Sequence, residues 1–321
     1  MFGASDLKTN IVVTETTVEC PVRDCSKIVA RQRKSFRREP QFQCPNHKIY
    51  ISPSTFEYQN ETDNFLWQDS KDLTLLRKIK TVKRESRMAR DNSEDALTWN
   101  VFRYLERTSQ VASSLLSLIG ASMPIPRLVY WSYSRSAQGV WPQLARARAE
   151  FGEHPTRSSE PDLIAVSDAA LFFIEAKLTA TNETTPSRPQ YTKKYLTGGN
   201  NWYQQVFKTD YNTLAIQERK YELTRFWLLG SWIAAQLDCD FYLVNLVLGE
   251  REKGIEQLFK SHLITDTRRH FLRWSWEDIY HFVSQNAAMT QDKDLFTSYF
   301  ENKTIGYNHL RELQVAFQVN R

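Results

Sequence analysis

Two sets of side chains in this sequence are spaced for chemistry. The first is Pro161-Asp162, followed thirteen residues on by Glu175-Ala176-Lys177. Between them lie two short apolar runs, Leu163-Ile164-Ala165-Val166 and Leu171-Phe172-Phe173-Ile174, joined by Ser167-Asp168-Ala169. That is the pattern of a β-hairpin. Folded about Asp168 and Ala169, the hairpin sets position 162 across from position 175, and opposed residues in an antiparallel pair have Cβ atoms about 5 Å apart. Side chains alternate along a strand, so Glu175 and Lys177 share a face. Carboxylates held that close repel unless a cation lies between them, and a divalent ion bound by carboxylates and water meets the need. The predicted chemistry is metal-assisted hydrolysis, with the lysine beside the attacking water or a phosphate oxygen. A surface hairpin with an exposed salt bridge, worth about 0–1 kcal/mol, is the competing reading. Against it, Leu171 to Ile174 is a buried-strand composition, and charge at the end of a buried strand needs a reason. The same Glu-x-Lys spacing recurs at Glu301-Asn302-Lys303, where no apolar strand precedes it and a solvated helix face is predicted.

The second set is Cys20 and Cys25, followed by Cys44 and His47. Two short-spaced pairs separated by about twenty residues are how two knuckles grip one Zn2+ tetrahedrally. The flanking runs Val12-Val13-Thr14 and Ile49-Tyr50-Ile51 read as strands, so the expectation is a zinc ribbon whose metal substitutes for a hydrophobic core. Four protein ligands would close the site and make it structural. A disulfide between Cys20 and Cys25, leaving Cys44 unpaired, is the alternative; cytosolic chains rarely keep disulfides. Cys239 reads as a packed thiol in a helix-to-strand turn.

Asp162, Glu175 and Lys177 resemble the PD-(D/E)xK signature of restriction endonucleases, DNA repair nucleases and related hydrolases, and the resemblance covers roughly residues 93–283. It implies an α/β, restriction-endonuclease-like mixed sheet flanked by helices. Asp162 and Glu175 would hold Mg2+ or Mn2+, with the Ala176 carbonyl as a further ligand, and Lys177 would position the water or help deprotonate it. Many members carry another acid on a helix before the sheet. Here Ser93 or Asn92 can cap such a helix, with Leu97, Val101, Tyr104 and Leu105 as its core stripe. Glu94 projects from that side and would hold a second ion; the equal alternative is that Glu94 and Asp95 only complement the helix dipole. Some relatives place a Gln on the helix after the Glu-x-Lys strand, but spacing selects neither Gln204 nor Gln205.

The elements that must position these groups follow in order. Residues 127–131 read as a strand, residues 179–201, with Pro186, Pro189, Gly198 and Gly199, as a long polar loop. Such loops are usually functional, and Arg188, Lys193 and Lys194 give this one positive charge. Helices are predicted from 202, over 221–236 and over 253–263, a buried strand over 241–248, an edge strand over 271–276, and a helix opening at 277. Alternating strands and helices argue for an α/β layered domain.

The chain of 321 residues, 41% hydrophobic and 13% aromatic, has room for two domains. The predicted division is 1–70 for the ribbon, 71–90 for a basic linker or helix, and 91–321 for the nuclease-like domain. Residues 1–90 hold 17 Lys+Arg against 11 Asp+Glu, whereas 91–321 hold 25 against 26, so the net charge of +5 resides at the amino-terminal end. Arg31, Arg33, Lys34, Arg37 and Arg38 lie between the knuckles, and Arg77, Lys78, Lys80, Lys83, Arg84 and Arg87 follow. A solvated loop is the plain reading of such a run; attraction to a polyanion by counterion release is the other. The functional expectation is a metal-dependent nuclease, an endonuclease acting on DNA, with RNA as the other candidate substrate. A non-catalytic nucleic-acid-binding protein with an inactive nuclease-like domain is the alternative. The absence of an eighteen-residue apolar run and of a signal-peptide core predicts no membrane association and a cytoplasmic location. Oligomeric state, a homodimer included, is left open.

Overall fold

The computed structural model describes residues 1–33, 35–83, 85–120, 124–154, 160–188 and 192–319. They form two compact units: Met1–Asp72, Glu85–Thr108 and Trp276–Arg321 in the first, Leu73–Arg84 and Ser109–Ser275 in the second. This differs from the consecutive blocks 1–70, 71–90 and 91–321, because within the first unit the end of the chain returns to its beginning. Leu313 N–H donates to the Thr9 carbonyl at 2.8 Å, and the Tyr307 hydroxyl donates to the Lys8 carbonyl at 2.9 Å. Pairings of that sequence separation leave no local signal in a hydropathy pattern.

The first unit opens with two small antiparallel pairs, β1 (Thr17–Glu19) with β2 (Ile28–Ala30) and β3 (Tyr50–Ile51) with β4 (Phe56–Glu57). Val12 to Thr14 is not a strand and makes only an isolated bridge at Val13. The reason is local: the Thr14 hydroxyl accepts from the N–H groups of Thr16 and Thr17, bending the chain into a turn. Helix α1 (Ser70–Ile79) runs across the division between the units. Helix α2 (Glu94–Arg107) is capped as expected, the Ser93 hydroxyl accepting from Ala96 N–H, and Leu97, Val101, Tyr104 and Leu105 are buried.

The longer segment of the second unit opens with α3 (Val111–Ile119) and contains a seven-stranded mixed sheet. Its strands are β5 (Arg127–Tyr130), β6 (Tyr133–Ser134), β7 (Gly139–Val140), β8 (Leu163–Val166), β9 (Ala170–Ala176), β10 (Asp240–Val247) and β11 (Arg269–Ser275). They lie in the order β11-β10-β9-β8-β5-β6-β7, with β11 at an edge as expected. β8 and β9 form the predicted antiparallel hairpin, and β9, β10 and β11 run parallel. Parallel neighbours need crossovers: α5 (Lys193–Val206) and α6 (Tyr221–Leu237) lead from β9 to β10, and α7 (Ile255–Ser261) leads to β11. Helix α4 (Pro142–Glu150) precedes β8.

Residues 179–201 are therefore not all loop, since α5 starts at Lys193; Pro189 lies outside the described residues. The helix is broken at Gly198–Asn201, where Gly199, Asn200 and Asn201 are left-handed. A Cβ on Gly198 would come within 2.6 Å of the Phe151 ring and one on Gly199 within 2.8 Å of Trp232, so packing selects the glycines that masked the helix in the sequence. Glycine 230 in α6 has a similar cause. Its Cβ would lie 2.2 Å from the Phe241 ring on β10, so the helix meets the sheet backbone-first. Substituting alanine there is expected to cost about 1–3 kcal/mol by overpacking, despite alanine's better helix propensity, and a urea midpoint at or above wild type would contradict this packing.

The chain then returns to the first unit through α8 (Trp276–Asn286), α9 (Gln291–Asn302) and the hairpin of β12 (Thr304–Tyr307) and β13 (Leu313–Val315). The predicted solvated face at Glu301–Lys303 holds only for Glu301, which is exposed. Lys303 is buried and reaches the buried Asp91, donating to its carbonyl, with the carboxylate at 3.8 Å. Among the described residues no helix is long and apolar enough to cross a membrane.

Candidate acidic site and metal module

In the second unit the hairpin register pairs Leu163 with Ile174, which brings Asp162 beside the end of β9. Asp162 is held from two sides: Ala176 N–H donates to Oδ2 at 2.9 Å and the Trp131 indole Nε1 donates to Oδ1 at 3.2 Å. Trp131 is buried at φ +43° and Ser132 follows at φ +76°. A bulky residue rarely adopts that region, and such strain costs about 1–3 kcal/mol. The backbone is thus bent at the point where it presents the indole to Asp162.

Glu175 is buried, level with Asn245 of the parallel strand β10. The Lys177 ammonium contacts Glu175 Oε1 and lies 3.5 Å from Glu222 Oε2. Glu222 stands in the first turn of α6, whose leading N–H groups are bonded by Thr184: Tyr221 N–H to its carbonyl at 3.1 Å, Glu222 N–H to its hydroxyl at 2.9 Å. Two carboxylates, Glu175 and Glu222, thus contact the Lys177 ammonium, and the charge of Asp162 also acts on it. The electrostatics follow. Burial pushes the Glu175 carboxyl well above its usual range, Asp162 and Glu222 add to this, and Lys177 only partly opposes it. Burial alone would lower Lys177, but Glu175, Glu222 and Asp162 outweigh it and hold the ammonium well above its ordinary value. Glu175 Oε2 is buried with no hydrogen-bond partner.

In the first unit the ligand atoms of Cys20, Cys25, Cys44 and His47 all lie within 4.8 Å of one another. Cys20 Sγ is 3.6 Å and Cys44 Sγ 3.7 Å from His47 Nδ1, and Cys25 Sγ is 3.8 Å from Cys44 Sγ. A tetrahedron with Zn–S bonds of about 2.3 Å has edges of about 3.8 Å, so the group can hold a structural metal such as zinc. All four cysteines are free thiols, which removes the Cys20–Cys25 disulfide. Left-handed residues turn both knuckles, Asp24 at φ +60° before Cys25 and Lys48 at φ +55° after His47. Burial and the neighbouring sulfurs push the Cys20 thiol up; Cys25 is lowered despite its burial, by the Lys27 N–H, the neighbouring thiols and Lys8. Among the described residues this is the one group of three or more metal-ligating side chains; Asp162, Glu175 and Glu222 do not form another.

No family model, curated protein or solved structure matches this chain.

Asp162, Glu175 and Lys177 are brought together in the second unit; Glu94 is half-buried in the first turn of α2, in the first unit. Gln204 and Gln205 are both exposed on α5. Arg33, Arg37 and Arg38 are exposed and Arg31 half-buried, while Lys34 and Arg84 lie outside the described residues. The arginines also bond their own chain: Arg31 and Arg33 donate to the Thr14 and Glu15 carbonyls at 2.8 Å each, Arg37 pairs with Glu39 at 3.6 Å and Arg38 with Glu57 at 3.2 Å. Glu222 escaped the sequence reading. Its only signal is an acid in the first turn of a helix, 45 residues beyond Lys177, and such acids are common.

The raised Glu175 has a consequence for stability. A carboxyl whose folded-state value lies above its unfolded one stabilises the fold below its ordinary range and loses that contribution as pH rises through the folded value. With chelator present, the stability of wild type relative to Glu175→Gln is expected to decline from pH 5 to pH 8. Urea midpoints of both proteins across that range measure it, and a constant difference would remove the desolvated carboxylate from the account.

Proposed function

We propose that this chain is a metal-dependent nuclease of the PD-(D/E)xK type that hydrolyses phosphodiester bonds in DNA. The observation that carries the reading is the buried, unpartnered Glu175 oxygen beside a lysine that Glu175 and Glu222 share, with Asp162 opposite the end of the same strand. A bound Mg2+ or Mn2+ would supply Lewis-acid stabilisation of charge on a phosphate oxygen. Asp162 and Glu175 would hold it, Asp162 being oriented by Trp131 and by the Ala176 N–H. Lys177 keeps its proton at neutral pH, so it acts as a donor that orients water or a phosphate oxygen rather than as a general base. In the first unit the Cys20, Cys25, Cys44 and His47 group would bind zinc as a ribbon, and the exposed Arg33, Arg37 and Arg38 would contact phosphates.

The test is cleavage of supercoiled plasmid DNA and of labelled single-stranded, duplex and branched oligonucleotides, with Mg2+ or Mn2+ and an EDTA control. Metal-dependent nicking supports the reading. Salt-sensitive binding with no cleavage under any metal would refute it and leave the non-catalytic, nucleic-acid-binding alternative.

A further inference from the structure

Beside the acidic site, the second unit contains a cavity of about 450 Å³ that the nuclease signature does not account for. Its volume is in the range of small-molecule sites. The floor is a buried ion pair: the Arg225 guanidinium grips Glu153 with two nitrogens, Nη2 at 2.5 Å from Oε2 and Nε on Oε1. The Tyr195 hydroxyl is 3.0 Å from Glu153 Oε1 and 3.0 Å from the Tyr221 hydroxyl. Arg225, Glu153 and Tyr195 are all more than nine-tenths buried, so this is a built polar floor rather than a surface crease. Arg188 and Lys194 also line the cavity. Its fixed charges are therefore three cations against one carboxylate, in a part of the sequence that carries no net positive charge. Burial, together with Arg225, holds the Lys194 ammonium below its ordinary value although Glu153 opposes this. In the same wall Tyr211 has a buried hydroxyl without a partner.

The position is as informative as the charge. Tyr221 lines the cavity, and the next residue, Glu222, contacts Lys177. Thr184 binds the backbone of both, two residues before Pro186 at the cavity edge. The segment that follows β9 and Lys177 thus leads through Thr184 to the cavity wall.

We infer that this cavity is a nucleotide subsite, taking one phosphate of a polynucleotide between Arg188 and Lys194 above the Arg225–Glu153 pair, with the sugar or base against the tyrosine wall. The inference rests on the nuclease reading for its substrate class, but its test does not need turnover. In EDTA, deoxyadenosine 5′-monophosphate and inorganic phosphate are titrated into the full chain by calorimetry, with deoxyadenosine as the phosphate-free control. The expected result is binding of the nucleotide, weaker binding of phosphate and none of the nucleoside. Arg188→Ala and Lys194→Ala, both on accessible positions, should each weaken nucleotide binding about tenfold. If the nucleotide fails to bind, or the double variant binds it as wild type does, the subsite is overturned even if DNA is cleaved. Nucleotide binding that depends on Arg188 and Lys194 in a protein that cleaves nothing supports the subsite and sinks only the hydrolytic reading.

Discussion

Replacing Glu175 by glutamine is expected to remove Mg2+-dependent cleavage while making the metal-free protein more stable. The two effects have one cause. Glutamine keeps the shape of the side chain but withdraws a negative charge from a buried position where burial, Asp162 and Glu222 all oppose ionisation. Without a cation that charge is a burden, so its loss should raise the melting temperature measured in chelator. With Mg2+ it is half of the carboxylate pair, and a cation's transition-state stabilisation of several kcal/mol corresponds to about a thousandfold in rate or more. Asp162→Ala should lose a comparable factor without the gain in stability, because it also strips acceptors from the Trp131 indole and the Ala176 N–H. Plasmid nicking rates and chelator melts of the two variants measure both halves. A Glu175→Gln protein that still nicks plasmid at the wild-type rate would end the hydrolytic proposal.

The second large effect concerns the metal module. Cys44→Ser, or a strong zinc chelator acting on the wild type, should unfold the first unit. Structural Zn2+ contributes about 10–16 kcal/mol in small modules, whereas whole domains are stable by only about 5–15 kcal/mol, so the metal term is as large as the whole. The strands here are two or three residues long, and Cys20, Cys25 and Cys44 belong to the apolar cluster that joins them, so losing the metal disturbs that packing as well. The expected signature is one equivalent of zinc in the purified protein and loss of a cooperative melting transition when it is removed. A protein that is purified without zinc and melts identically with chelator would assign the thiols a purely packing role.

Much of the second unit was legible in the sequence because its signals are local. The apolar runs at 163–166 and 171–174 are buried on both faces, their turn chemistry fixes the register, and the opposition of Asp162 to the end of β9 follows from that register alone. The Cys and His spacing likewise reported a real convergence. What stayed hidden depends on contacts distant in sequence. Glu222 meets Lys177 only through the crossover that brings α6 over the sheet. The glycines of α5 look like a loop until Phe151 and Trp232 are seen pressing on them. Lys303 looks solvated until Asp91, more than two hundred positions earlier, is found beneath it.

The return of β12 and β13 to residues 8–10 bears on how the polypeptide emerges from the ribosome. The cysteine knuckles are translated well before Tyr307, a member of the apolar cluster around them, so that cluster cannot close until the intervening chain has been made. The sheet of the second unit, almost wholly contiguous, can mature earlier. Nascent thiols must meanwhile wait exposed, so an early-captured metal ion would shield them from oxidation during elongation.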